Sequence, residues 1–222
     1  MKIKALFAWS GGKDSAMALH ELQKNANVEI VALLTTVTKD YDRISMHGVR
    51  MALLERQSES IGLPLEKVFI SKESSNDDYE AAMKATLEKH KAAGVSAVAF
   101  GDIFLEDLRK YREDKLAQVG MTGLFPIWKR ATSELAQTFI ESGFKAIVTC
   151  ADSQAGAGEF AGRYFDKQLL SDLPPNVDPC FENGECHSFV YDGPIFRRPI
   201  AFSVGETVLR DERFYYCDLI PD

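Results

Sequence analysis

Ser10-Gly11-Gly12-Lys13-Asp14-Ser15 decides the reading of this chain. Before it lies the apolar run Ile3-Lys4-Ala5-Leu6-Phe7-Ala8-Trp9, and after it Ser15-Ala16-Met17-Ala18-Leu19-His20-Glu21-Leu22 carries apolar residues at helical spacing. The pattern predicts strand, glycine-rich turn, helix. Adjacent glycines open backbone angles closed to other residues and let a bulky anion approach the chain. The helix that follows presents unpaired N–H groups and the positive end of its dipole. Together these make a phosphate cradle. Lys13 adds a point charge, Ser10 and Ser15 add hydroxyls, and Asp14 can cap the helix or reach a metal. A bare Gly-Gly-Lys string is more often only a turn. Its position between a leading strand and an amphipathic helix points to phosphate.

The glycines precede the lysine directly, so this is not the longer GxxxxGK[ST] loop. The six residues SGGKDS instead resemble the PP-loop of the ATP-pyrophosphatase superfamily, whose members cleave ATP between the α- and β-phosphates. That resemblance implies a HUP/Rossmann-like fold for the first lobe.

Outward from the loop, strand and helix alternate. Glu29-Ile30-Val31-Ala32-Leu33-Leu34-Thr35-Thr36 suits a strand buried on both faces of a parallel sheet. Residues 48–61 predict a helix with Val49, Leu53, Leu54 and Ile61 as its stripe, stopped by Gly62. Lys67-Val68-Phe69-Ile70 predicts a strand. Ser75-Asn76-Asp77-Asp78 offers an N-cap for a helix over 79–93, and Val95-Ser96-Ala97-Val98-Ala99-Phe100 predicts another strand. The connections are too long for hairpins, so a parallel α/β sheet is expected. Ligands in such sheets sit beyond the carboxyl ends of the strands. Ser10–Ser15, Thr35–Thr36 and Gly101–Asp102 all fall at such ends, so three segments should converge on one crevice.

A helix is expected from after Leu105 to about 119, then the proline-broken Leu124-Phe125-Pro126-Ile127-Trp128 as an edge or crossing segment. Further on come a helix from Thr132 to about Gly143, a strand Lys145-Ala146-Ile147-Val148-Thr149-Cys150, and a helix over about 159–170. After Pro174-Pro175 the texture changes to short β-like runs: 188–191, 195–196, 199–203, 207–210 and 214–219, with Asp192-Gly193 and Val204-Gly205-Glu206 as turn signals. The expected division is a nucleotide-binding lobe over 1–130 and a smaller α+β acceptor lobe over 131–222.

Composition sets the outer limits. A chain of 222 residues with 45% hydrophobic and 27% charged content has the make-up of a globular protein. The net charge of −7 argues against broad binding to nucleic acid or anionic membrane. No apolar run reaches the length of a membrane span, and none resembles a signal peptide, so a cytoplasmic protein is expected. Cys150, Cys180, Cys186 and Cys217 contain no CxxC pair and predict reduced thiols. Oligomeric state is not legible.

Other residues could carry chemistry. Arg109 and Arg112 stand three apart on one predicted helix and could present a paired guanidinium face to phosphate or carboxylate. Glu106, Asp107, Glu113 and Asp114 allow the alternative of a solvated helix laced with ion pairs. Glu182, Glu185 and His187 crowd into a glycine-containing turn before a strand. There, carboxylates could bind a cation or magnesium and the histidine could shuttle a proton, or the group could be a hydrogen-bonded surface turn. Cys180, Cys186 and His187 lack an obvious fourth ligand for zinc. His47 could approach a nucleotide or be a satisfied loop histidine. Trp9 and Trp128 read as packing residues.

Gly101-Asp102-Ile103, Leu108-Arg109-Lys110-Tyr111-Arg112-Glu113, Leu124-Phe125-Pro126-Ile127-Trp128 and the block from Cys180 to Pro194 resemble the signature blocks of the diphthine–ammonia ligase family, a PP-loop group. This chain departs from the pattern at Phe181, where glycine is usual, at Cys186, where an aromatic is usual, and at Ser188, where threonine is usual. The resemblance implies an ATP-dependent ligase that adenylates a carboxylate, releases pyrophosphate, and transfers ammonia to give an amide. It implies ATP and magnesium as cofactors, with a protein-borne diphthine or a small molecule as acceptor. Ser10, Gly11, Gly12, Lys13, Asp14 and Ser15, with Thr35 and Gly101, are then candidates for the nucleotide. Asp14 and Asp102 are candidates for the metal. Lys13, Asp14, Asp102 and His187 are candidates for catalysis, and Arg109, Arg112, Glu182 and Glu185 for the acceptor. RNA thiolation by a PP-loop enzyme and a non-catalytic ATP-binding module are the rival readings. The missing CxxC and the acidic balance count against the first.

Overall fold

The structure is a computed structural model that describes residues 2–40, 43–44, 48–71 and 73–222. His47 lies outside the described residues. Alternating apolar runs and amphipathic helices fold the first part into a sheet of β1 (Ile3–Ala8), β2 (Val28–Thr38), β3 (Arg43–Ile44), β4 (Leu65–Ile70), β5 (Ala97–Ala99) and β6 (Thr122–Leu124). Five strands run parallel in the order β4-β2-β1-β5-β6, and β3 pairs antiparallel with the end of β2. The crossovers are α1 (Lys13–Gln23), α2 (Met51–Ile61), α3 (Asn76–Ala92) and α4 (Glu106–Gln118).

Alternation along the strands sends side chains to two cores. Phe7 and Leu33 join Leu19 and Leu53 on one face, while Leu6 and Leu34 join Leu87, Val98 and Leu116 on the other. At 0 to 5% exposure, Leu33 and Leu34 show why β2 reads as an unbroken apolar run.

The chain winds from β1 toward β4 and then returns to β5 on the far side of β1. Loops leaving β1 and β5 therefore diverge, and the topological switch point lies between Ser10–Ser15 and Gly101–Asp102. The expected parallel α/β lobe is the observed one.

The second sheet is antiparallel, in the order β8-β7-β10-β9, from β7 (Lys145–Asp152), β8 (Cys186–Asp192), β9 (Phe202–Arg210) and β10 (Phe214–Pro221). It is joined by α5 (Thr132–Glu141) and α6 (Lys167–Asp172). Ile147 and Phe189 belong to the same core cluster as Phe7 and Leu19, so this sheet packs onto the α1 side of the first one. Across the junction, Asp218 on β10 pairs with Arg43 at 3.0 Å and Arg50 at 2.6 Å.

Several local expectations are corrected. The helix expected over 48–61 begins at Met51, because Gly48 is left-handed and Arg50 is extended. The helix expected over 159–170 is only a single 3₁₀ turn at Gly158–Phe160 followed by the six-residue α6. Between them Gly162 turns left-handed, and Gly162 and Phe165 donate their N–H groups to Val148 and Ala146 of β7 at 2.8 Å each. A strand edge thus takes the backbone groups that a helix would have used. Val204-Gly205-Glu206 is no turn, since β9 continues through it as a bulge, with two residues between Val204 and Thr207 opposite one between Cys217 and Leu219 of β10. The hairpin turns instead over residues 211–213, where Asp211 and Glu212 both take positive φ and the Arg213 N–H donates to the Arg210 carbonyl at 3.0 Å, as in a primed β-turn. Residues 195–196 form no strand.

Candidate active site

The Ser10–Ser15 segment joins β1 to α1 as expected, and its own hydroxyls hold it. Ser15 Oγ donates to the Gly12 carbonyl at 2.8 Å and lies 3.1 Å from Ser10 Oγ, which accepts the Gly12 N–H at 3.2 Å. Gly11 takes a φ of +77° that other residues rarely adopt. Gly12 is the N-cap of α1, in extended conformation, with no side chain to cap the first turn. The Lys13 N–H donates to Ser188 Oγ at 3.2 Å. Two of the loop amides thus rest on hydroxyls, partners that phosphate oxygens can replace.

Gln57, fully buried on α2, ties this loop to both sheets. Its Oε1 accepts Trp9 Nε1 at 2.9 Å, and its Nε2 donates to the carbonyls of Gly11 at 3.1 Å and Val190 at 2.6 Å. The Val190 N–H donates to the Gly11 carbonyl at 2.9 Å. Sequence reasoning missed Gln57, although a polar residue on the Leu53-Leu54-Ile61 face was its signal.

A cavity of about 840 Å³ opens over the loop, within the usual size for a small-molecule site. The three strand ends meet there: Ser10 and Gly12 to Ser15, Thr35 and Thr36, and Gly101 and Asp102 all line it. Gly101 has a steric role. A Cβ there would stand 2.9 Å from both the Asp14 carbonyl carbon and the Ser15 nitrogen, so only glycine lets the β5 end close on the loop. Glu182, His187 and Arg112 also line the cavity.

Arg109 and Glu185 do not line it. The Arg109 guanidinium lies over the rings of Phe125 and Trp128, 4.5 and 4.7 Å from their centroids, and pairs with Glu113 at 2.9 Å. Arg112 instead lies over Phe100 and pairs with Asp102 at 2.7 Å. Glu185 is buried and accepts the backbone N–H groups of Asp178 and Asn183 at 3.0 and 3.1 Å, so it pins the turn. Asp178 is a second residue missed from sequence. It accepts from the N–H groups of Cys180 and Glu182 at 2.9 and 3.2 Å and from Thr132 Oγ1 at 2.6 Å. An Asp-Pro pair was its signal.

The polar groups of the cavity are electrostatically strained. Burial raises the Asp14 carboxyl above its ordinary range, against the pull of Lys13. Burial likewise raises Asp102, partly offset by Arg112 and increased by the charge on Asp14. Asp102 Oδ2 and Arg112 Nε are buried and lie out of line for a hydrogen bond to each other. Glu182 accepts the N–H groups of Ile103 at 2.8 Å and Phe104 at 3.3 Å, bridging the second sheet's loop to the β5 end. Burial nonetheless pushes it up to about 7. Burial and then the Lys13 charge bring His187 down to about 4, so the imidazole is neutral near pH 7. The same burial lifts the Cys180 and Cys186 thiols to about 12, far from thiolate.

Metal candidates Asp14 and Asp102 fit a magnesium ion that retains waters and shares its shell with phosphates. Each carboxylate already faces a protein cation, Lys13 beside Asp14 and Arg112 beside Asp102, while the buried Asp102 Oδ2 has no aligned donor. Among the described residues no group of three or more His, Cys, Asp or Glu side chains could hold a metal by itself.

The comparisons with known proteins agree with this geometry. The family profile described as diphthamide synthase N-terminal domain matches residues 1–123, and that described as diphthamide synthase C-terminal domain matches residues 131–218. A relative from Danio rerio named diphthine–ammonia ligase is 28% identical over 91% of this chain and 88% of its own length. One of the same name from Mus musculus is 27% identical over 94% and 85%. In Schizosaccharomyces pombe the match is 26% over 93% of this chain, which spans only 37% of that longer relative. With both halves of the family matched in order over nearly its whole length, the chain belongs to the diphthamide synthase family of ligases.

Proposed function

We propose that the protein is an ATP-dependent amide ligase that adenylates a carboxylate, releasing pyrophosphate, and then transfers ammonia to the acyl group, releasing AMP. The observation that carries this reading is the Ser10–Ser15 loop at the switch point, its N–H groups resting on hydroxyls beside a cavity large enough for a nucleotide. The relatives' name, diphthine–ammonia ligase, supplies the bond formed.

In this reading Ser10, Gly11, Gly12, Lys13 and Ser15 hold the β- and γ-phosphates as the leaving group. Thr35 and Gly101 border the nucleoside. A carboxylate is a poor electrophile, and attack of its oxygen on the α-phosphorus makes a mixed anhydride with AMP. Donors fixed in place before the reaction stabilise the charge that develops on pyrophosphate. Asp14 and Asp102 would hold magnesium, which when bound neutralises phosphate charge. Arg112 keeps Asp102 in place. Glu182 suits the proton-accepting role better than His187, because its acidity is matched to neutral pH. Glu182 takes a proton from the ammonium ion. The ammonia lone pair then attacks the acyl carbon, the bond to the AMP oxygen breaks, and the remaining excess proton passes to solvent.

The acceptor is a protein-borne diphthine, as in the relatives' name, or a smaller carboxylate. Residues 1–130 serve the nucleotide and 131–222 the acceptor. Buried thiols near 12 disfavour sulfur transfer to RNA. Four free cysteines and the lack of any membrane-crossing helix among the described residues suit the cytoplasm.

Incubation with Mg-ATP, ammonium and a panel of acceptors, diphthine-bearing protein included, tests the reading. AMP and pyrophosphate should form only with ammonium and an acceptor. ADP formation overturns it, and ATP binding without turnover across the panel favours a non-catalytic module. At ATP a hundredfold above its dissociation constant, stability should rise by about 2.7 kcal/mol. Lys13→Ala should remove most of that gain.

A further inference from the structure

The Lys13 side chain is buried in the wall of the cavity. Nζ donates to both Asp14 oxygens, at 3.0 and 2.9 Å, and to the carbonyl of Cys180. An alkylammonium has three N–H donors, so these acceptors use all of them. Two ring faces flank Nζ, with the centroid of Phe181 at 5.2 Å and that of Phe165 at 5.9 Å. The two rings meet edge-on at 5.8 Å, and both are buried, as is Lys13.

Phe181 holds a φ of +58°, a left-handed angle that a bulky side chain adopts only under strain. That angle brings its ring and the preceding Cys180 carbonyl to the same cation. A carboxylate, a carbonyl and two aromatic faces are the partners that recognise an ammonium group by hydrogen bonds and cation–π attraction.

Lys13 cannot reach a phosphate while keeping all three acceptors. If it engages the phosphates of ATP, as the function proposed above requires, Nζ must leave at least part of this cage. The geometry points to an ammonium-binding site made by Asp14, the Cys180 carbonyl, Phe165 and Phe181, occupied alternately by the Lys13 side chain and by the substrate ammonium ion. Nucleotide binding then opens the site for the nucleophile, so that ammonia is admitted only after ATP. The Asp14 carboxylate has acceptor positions enough for both an ammonium and a magnesium ion.

The test is thermal unfolding of the full chain with Mg²⁺ and α,β-methylene-ATP, titrated with ammonium chloride against potassium chloride. Ammonium should stabilise the analogue complex saturably and beyond potassium, with roughly tenfold weaker affinity when the analogue is left out. Lys13→Ala should bind ammonium without the analogue. Phe181→Gly, which removes the ring and relieves the backbone, should weaken ammonium binding roughly tenfold while the analogue still binds. Equal ammonium affinity with and without analogue, or in Phe181→Gly and the parent chain, overturns the cage. If the analogue itself does not bind, the ATP-ligase reading fails instead. Ammonium binding to Lys13→Ala then supports or overturns the cage by itself.

Discussion

The side-chain amide of fully buried Gln57 on α2 donates to the Val190 carbonyl of β8 at 2.6 Å, and through it the Ser10–Ser15 loop is fixed to both sheets. Gln57→Leu keeps the volume and removes three hydrogen bonds. Trp9 Nε1 loses its acceptor, and the Val190 carbonyl loses this donor, in a dry interior. The expected cost is about 2–4 kcal/mol, read from the urea midpoint.

Gly101→Ala tests the close approach of the β5 end to the loop. Its Cβ would meet backbone atoms of Asp14 and Ser15 at 2.9 Å, and backbone cannot rotate aside as a side chain can. A loss of about 1–3 kcal/mol in stability is expected from this overpacking. ATP affinity, measured by calorimetry, should fall roughly tenfold, because the displaced atoms belong to the cradle.

Glu182 makes stability depend on pH with a definite sign. In the folded protein burial raises its carboxyl to about 7 from 4.5. Between these values the folded state holds a proton that the unfolded chain has released. Unfolding therefore releases a proton, and the contribution of Glu182 to stability, complete below pH 4.5, is lost as pH rises through 7. The whole interval corresponds to at most about 3 kcal/mol. Glu182→Gln should flatten this fall, as measured by urea unfolding at several pH values across the interval.

Arg109 and Arg112 should separate cleanly. Arg109→Ala removes a guanidinium stacked on Phe125 and Trp128, with an expected loss of about 1 kcal/mol and no change in ATP affinity. Arg112→Ala leaves the buried Asp102 carboxylate without its cation and should cost about 3 kcal/mol. Chemical denaturation and nucleotide calorimetry on both variants distinguish them. Equal effects would mean that both guanidiniums face the ligand.

The parallel lobe was legible because its signals are local and redundant. SGGKDS, the unbroken run of β2 and the apolar periodicity of α1 each specify backbone conformation over a few residues. Gly62 stops α2 in the left-handed conformation, and Ser75 caps α3 with a full capping box, both from adjacent residues alone. In the second lobe the competing signals were long-range. The segment around Gly162 reads as helix until β7 offers its edge, and Gly205 reads as a turn until pairing with β10 takes it up as a bulge in β9.

The candidate site divides in the same way. Residue type and order along the chain determined the glycine-rich turn at Ser10–Ser15, the strand ends that meet it and the family, because helix termini and parallel crossovers place such residues by rule. Which charged side chain enters the cavity was decided only by tertiary packing. Arg109 found two aromatic faces, Glu185 found backbone donors, and Glu182 bridged to the β5 end. Spacing along a helix or turn fixes the direction in which a side chain leaves the backbone, but partners brought from distant sequence set where its charge comes to rest.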